Sequence, residues 1–455
     1  MSKISQSQSA WERFRPLLMS AFGLAALLFL SYWAGFPREL FVPFLIGLAL
    51  LALFLAGYGW LGYHLLARPL PAGHKNPALN MLPAAYRRLL AIILGIGGMG
   101  VTVGGTWDEV WHRAYGIPFG EDFFWRPHIL LYIGLLTPPL LAIISLFWVM
   151  RGSKGTMQQK LRADPPLAFL IMAGMLLAVS VPADPVWHAI YGADLSAWSI
   201  PHLILLICVS LVMFVATFVQ LTTLKLQEWR GVWRASPETW LIVLFLTFSL
   251  ATQLQLTVTD WENFSPMTQL RPFWLLPALV VVVATFTGSI ANRATRTYGA
   301  ATIITIISIA IRWGLTRAFD YQVPLDAWLP IIAPMVGLDV WFAFRANKGG
   351  VENPILNSVA ANIPLILISF PLIHRLFPYL HLAGRNAVVS ALICLVAGTA
   401  GAWIGQAIGD GLNNAPRQVE AESPMVDQLR VVTPGLFAAA VVFMVFFVLT
   451  ATPPV

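Results

Sequence analysis

Two stretches of the chain carry the same set of metal-competent side chains. The first reads Trp107-Asp108-Glu109-Val110-Trp111-His112-Arg113-Ala114-Tyr115-Gly116 and is followed by Trp125-Arg126-Pro127-His128. The second reads Ala183-Asp184-Pro185-Val186-Trp187-His188-Ala189-Ile190-Tyr191-Gly192 and is followed by Trp198-Ser199-Ile200-Pro201-His202. Both follow D-x-V-W-H-x-x-Y-G and then P-H, with the aspartates 76 residues apart (184 − 108). Each copy offers one carboxylate and two imidazoles. That donor set suits Cu(II), non-haem Fe(II) or Zn with coordination positions left open.

The spacing says how such a set assembles. Residues four apart lie one turn apart on the same helix face, so Asp108 pairs with His112 and Asp184 with His188. Proline is favoured in the first turn of a helix, which places His128 and His202 at helix starts. An antiparallel hairpin then returns each of these histidines to the end of the preceding helix. Two fainter copies follow. Asp260 lies another 76 residues on (260 − 184), with Arg271-Pro272-Phe273 after it; Asp320 is followed by Pro330. Neither faint copy keeps a histidine. The competing interpretation is a duplicated structural hairpin, with Asp bonding loop groups and Trp and Tyr in the interfacial belt. Against it, four of the 8 histidines occupy these equivalent positions, and both are missing together from the faint copies.

The elements that must carry these residues are membrane helices. The chain has 455 residues, 58% hydrophobic and 11% charged, against roughly 25% charged for a soluble globular chain. With about 20 residues per crossing, the apolar content suffices for about 13 transmembrane helices. The expected class is an all-α polytopic membrane helix bundle, built partly from tandem helix-hairpin repeats. The spans fall at 16–35, 40–66, 86–107, 128–150, 166–183, 201–224, 238–258, 272–291, 297–315, 325–344, 354–373, 385–408 and 431–451. The first reads as a retained span, not a signal peptide. The segments are 1–84, a two-span N-terminal part; 85–224, the two metal-motif hairpins; 225–345, the two degenerate hairpins; and 346–455, a three-span C-terminal part.

Assigning alternate loops to alternate sides splits the 28 Lys and Arg as 20 on the N-terminal side against 8 on the other. The positive-inside rule then makes the N-terminus cytoplasmic and puts the hairpin loops outside. The expected location is a bacterial-type cytoplasmic (inner) membrane. The net charge of +7 follows from this asymmetry and calls for no nucleic acid. The expected partners are the lipid bilayer and other membrane subunits or further copies of the chain. The repeats run parallel, unlike the inverted repeats common in transporters.

D-x-x-x-H followed by a second His at a span start resembles the copper-site motif of the third subunit of copper membrane monooxygenases, the particulate methane and ammonia enzymes. The string Asp122-Phe123-Phe124-Trp125-Arg126-Pro127-His128 is similar to the approach to that family's second histidine. The resemblance implies copper, an oxygenase setting and a site on the extracytoplasmic side, with Asp108, His112 and His128, and Asp184, His188 and His202, at the ligand positions. It covers only these hairpins. That subunit is much shorter, carries one such motif and works with two partners. The chain is also similar to uncharacterised bacterial multipass proteins with W-H … P-P-H hairpins.

The expected function is therefore a membrane metalloprotein with copper sites near the extracytoplasmic face, acting as a monooxygenase-like oxidase of hydrophobic small molecules. The alternatives are a non-catalytic copper-handling or assembly protein, a metal-stabilised subunit of a larger complex, and, third, a transporter. If the protein is an enzyme, it is a copper-dependent oxidoreductase; iron or zinc are the alternative metals.

Other residues read differently. His64 and His74, near Arg68 and Lys75, suit an interface, and His374 and His381 fall in a loop on the hairpin side. Asp260, Glu262 and Asp320 read as wetted loop residues. Asp339, Gln406 and Asp410 are expected at the membrane boundary, and Gln253 and Gln255 toward the bundle interior, because polar groups facing lipid are costly. The stretch 411–430 is the most polar and reads as a linker. The glycines Gly95, Gly97, Gly98, Gly100, Gly104 and Gly105 follow no strand, so they fit close helix packing and not a nucleotide loop. Cys208 and Cys394 lie in apolar runs and supply no disulfide framework.

Overall fold

The computed structural model describes residues 82–115, 125–152, 155–191, 200–225, 228–261, 271–319, 327–346, 353–414 and 424–451, with a few positions between 56 and 63; at 183–191 and at Asp260 it describes backbone alone. The two expected spans before residue 67, and His74, Glu262 and Asp320, lie outside the described residues or nearly so.

Eleven helices among the described residues are long and apolar enough to cross a membrane. They coincide with the last eleven spans expected from the sequence, and the chain is a polytopic helical membrane protein. In chain order the helices are α1 (Ala84–Tyr115), α2 (Arg126–Gly152), the short α3 (Met157–Ala163), α4 (Pro165–Tyr191), α5 (Ile200–Leu221) and α6 (Pro237–Thr257). Then follow α7 (Leu275–Thr295), α8 (Ala300–Ala318), α9 (Ile332–Ala346), α10 (Pro354–Leu376), α11 (Gly384–Asn413) and α12 (Pro424–Leu449). Two-residue strands at Arg230–Gly231 and Thr297–Tyr298 form one parallel pair.

The boundaries differ from expectation at three places, each with a polar cause. Helix α1 continues two turns past its apolar run, because the charges on those turns are paired inside the protein (below). Helix α3 is an extra element, started by a capping box in which Thr156 and Gln159 satisfy each other's backbone N–H groups. The expected linker at 411–430 is shorter, since α12 already begins at Pro424. Its charged first turns hold together through Arg430, which pairs with Asp427 at 3.0 Å and Glu238 at 3.2 Å.

Each helix of a hairpin packs on its partner: α1 on α2, α4 on α5, α6 on α7 and α8 on α9. Helix α1 is central, touching α2, α5, α6, α8 and α12. Lipid tails are as apolar as leucine, so membrane helices associate through close backbone approach and polar contacts. Both occur here. Gly401 of α11 lies against the carbonyl of Val282 in α7, and Gly405 against that of Phe286. Inside the bundle Gln253 of α6 donates to Ser210 of α5 at 2.9 Å and accepts from Thr287 of α7 at 2.5 Å.

One end of the bundle is held by Arg87 of α1. It donates to Asp164 at 2.7 Å, to Thr222 Oγ1 at 2.9 Å and to the carbonyl of Leu82 at 3.0 Å. Arg293 and Asp410 pair at 2.6 Å and link α7 to α11. Asp339 is buried within the protein: its carboxylate accepts the backbone N–H of Thr302 at 2.7 Å, serving an orphan donor in the first turn of α8. Cys208 and Cys394 are buried free thiols.

Candidate metal centre

At the opposite end, α1 and α2 bring Asp108, His112 and His128 together. Asp108 and His112 stand one turn apart near the end of α1, with Asp108 Oδ1 3.2 Å from His112 Nε2. His128 is the third residue of α2, and its Nε2 lies 2.8 Å from the same oxygen. Pro127 sits in the first turn of α2, where its missing N–H has no helical acceptor to lose.

The approach of α2 to α1 depends on a missing side chain. A β-carbon at Gly104, one turn before Asp108, would lie 3.1 Å from the carbonyl oxygen of Pro127 and from the N of Leu131. Further along, a β-carbon at Gly134 would fall 2.6 Å from the carbonyl of Gly97. The glycine run of α1 thus sets the interhelical distance that lets His128 reach Asp108.

Behind the three side chains is an aromatic wall. Trp107 and Trp111 are buried on the adjacent face of α1. Trp107 stacks on Phe319 at 5.5 Å between centroids, and Trp111 meets Trp125 at 5.3 Å. Trp125, the residue before α2, lies edge-on to His112 at 4.8 Å. Tyr132, one turn after His128, lies 5.8 Å from it. The side chains of His112, His128 and Asp108 keep 11%, 17% and 23% of their exposure, so the cluster is half-buried.

The geometry forms a group that could hold a metal ion. One ligand atom from each of the three residues can be chosen so that all lie within 4.8 Å of one another. Oδ1 of Asp108 is buried and lies within hydrogen-bonding distance of a ring nitrogen of each histidine. Buried polar atoms are nearly always paired. A carboxylate oxygen faced by two ring nitrogens can be satisfied by imidazole N–H donors or by a cation bound between the three groups.

The second hairpin repeats the backbone arrangement. Helix α4 ends at Tyr191 and α1 at Tyr115, the same position of the repeat. His202 is the third residue of α5, as His128 is of α2. The side chains of Asp184 and His188 lie outside the described residues. His374 and His381 are exposed, and neither joins a metal-competent group among the described residues.

Sequence reasoning passed over the residue beside the triad. Glu109 points about 100° round the helix from Asp108, toward α6 and α8. Arg312 of α8 grips it with both terminal nitrogens, one of them at 3.0 Å, and Arg113 pairs with it at 2.7 Å. Gln255 of α6 donates to the same carboxylate at 3.3 Å and to the carbonyl of Gly105 at 3.3 Å. The available signal was Arg312 itself, since a cation inside an apolar span calls for a buried partner.

The fold and the site thus define a multipass helical membrane protein with an Asp-His-His cluster at the mouth of a helix hairpin. No known protein family, curated protein or solved structure matches the chain.

Proposed function

We propose that the protein is an integral membrane metalloprotein whose first hairpin holds a transition-metal ion through Asp108, His112 and His128. The observation that carries this reading is the convergence of one carboxylate oxygen and two ring nitrogens within 4.8 Å of one another. Two imidazoles and a carboxylate suit copper first and iron or zinc next: among divalent first-row ions copper binds nitrogen and oxygen sites most tightly. The second hairpin, with Asp184, His188 and His202, is read as a parallel site. The resemblance to copper membrane monooxygenases and the positive-inside asymmetry support placing both sites at the extracytoplasmic face.

Bound there, copper would supply one-electron redox chemistry and dioxygen activation, with a hydrophobic small molecule as the substrate class. The chain's own residues do the rest. His112 and His128 present neutral ring nitrogens, and Asp108 supplies the negative charge. Trp125 and Trp111 keep bulk water from the inner side of the cluster and offer an apolar wall to an apolar substrate.

Elemental analysis of the purified full-length protein tests the reading, comparing wild type with His112→Ala and His128→Ala. Loss of one metal equivalent in each variant is expected. Unchanged metal content in both would make the hairpin structural. Oxygen uptake by the copper-loaded protein with hydrophobic substrates separates the oxidase from the copper-handling alternative, which binds metal without turnover.

A further inference from the structure

We propose that Arg312 is a positioning residue of the metal centre. It holds the last turns of α1 in the rotation that delivers Asp108 and His112 to His128, and the proposal rests on reading those three residues as a metal site. The fourth hairpin, α8 with α9, has no ligand set of its own; on this view it serves as the outer support of the first.

The end of α1 needs such a hold. Its last two turns carry Asp108, Glu109, His112 and Arg113 beyond the apolar run, so their rotation is set by contacts inside the protein: Trp107 on Phe319, Trp111 on Trp125, and the ion pair of Glu109 with Arg312. An i,i+4 pair such as Glu109 with Arg113 stiffens the helix but cannot orient it, because both partners turn with it. Only a contact from another element can.

Arg312 supplies the directional one, beside the ring contacts of Trp107 and Trp111. Its side chain is 1% exposed, against 13% for Glu109. The guanidinium meets both carboxylate oxygens, and a planar fork on a carboxylate fixes direction as well as distance. The fork is itself held. The guanidinium carbon lies 5.5 Å from the ring centre of Trp328, which is buried just before α9. Gln255 ties the same carboxylate and the Gly105 carbonyl to α6. Glu109 is thus gripped from two neighbouring helices. Since Asp108 is the next residue on a rigid helix, a rotation of α1 that released Glu109 would also swing Asp108 and His112 away from α2.

The test uses full-length protein in detergent carrying His188→Ala, so that one hairpin is measured. Copper(II) is titrated against a competing chelator, and the electron paramagnetic resonance spectrum of the bound ion is recorded. Arg312→Lys keeps the charge and loses the fork. Glu109→Gln keeps the shape and loses the charge. Both are expected to weaken copper binding by about 10-fold or more, the scale seen when outer-shell partners of metal ligands are removed, and to change the copper hyperfine pattern. A lowered melting temperature with unchanged affinity and spectrum in both variants would show that Arg312 only braces the bundle, and would overturn the proposal alone. If neither the wild-type protein nor the His188→Ala parent binds copper, the metal reading falls and the proposal with it; if only the His188→Ala parent fails to bind, the hairpins share one site and the two substitutions are compared in the wild-type background. Both substitutions are milder than removal of either side chain, and comparing them guards against one that fails to fold.

Discussion

Gly104 of α1 lies directly under the carbonyl of Pro127 at the start of α2, so close that a β-carbon would sit 3.1 Å from that oxygen. The clash would be with backbone, which cannot swing aside as a flexible side chain can. Gly104→Ala should therefore push the first turn of α2 outward by a few tenths of an ångström, and Gly104→Val farther. His128 rides on that turn, and a metal site needs its ligands within about 0.5 Å of the productive geometry. Copper affinity is expected to fall in the order wild type, Ala, Val, by about 10-fold for the larger change. A Val variant that is folded and binds copper as tightly as wild type would refute the claim that this contact sets the ligand distance.

The two hairpins share the position of the tyrosine that ends one helix and of the histidine that starts the next. If each holds its own ion, His112→Ala and His188→Ala should each remove one metal equivalent, and the double variant should remove both. Complete loss of metal in either single variant would instead mean that the hairpins pool their ligands at one site.

The sequence made the triad legible because its members are tied by local rules. Asp108 and His112 share a helix face by spacing, and Pro127 announces where the helix bearing His128 begins. The glycine run likewise announced close packing, though not which contact it serves. The partner of Glu109 was hidden for the opposite reason. Arg312 is 203 residues away, and nothing in the pattern of α8 says which of its neighbours it will face. The partner of Asp339 was hidden similarly: nothing in α9 says that the first turn of α8 lies within reach and has backbone donors for this carboxylate to satisfy. Local periodicity specifies faces, whereas pairings between distant helices emerge only from packing.

The expected orientation, with a cytoplasmic N-terminus, rests on the 20 to 8 division of Lys and Arg between the two sides. A cysteine placed at Ser196, in the loop of the second hairpin, should react with a membrane-impermeant thiol reagent in intact cells, and one at Ser153 should react only after permeabilisation. The native Cys208 and Cys394 are 0% exposed and should stay silent. Reversed labelling would move the metal hairpins to the cytoplasmic side.

Arg87 and Asp164 form an ion pair with both side chains 1% exposed, at the end of the bundle away from the metal hairpin. Removing one partner of a buried pair strands the other charge, at a cost of about 3–5 kcal/mol. Here Asp164 also accepts the backbone N–H of Leu82 at 3.2 Å, and Arg87 also serves Thr222 and the Leu82 carbonyl. Asp164→Ala should therefore destabilise the protein severely in a detergent unfolding titration, and Arg87→Met comparably. The double variant Arg87→Met with Asp164→Leu strands no charge, so it should recover much of the loss; apolar replacements of buried pairs are often neutral. It should not recover all of it, because the backbone groups of Leu82 lose their partners. A double-variant cycle measures the coupling. Single variants that cost under about 1 kcal/mol, the range of solvent-exposed pairs, would mean that water reaches Arg87 and Asp164 and that this end of the bundle is held by packing alone.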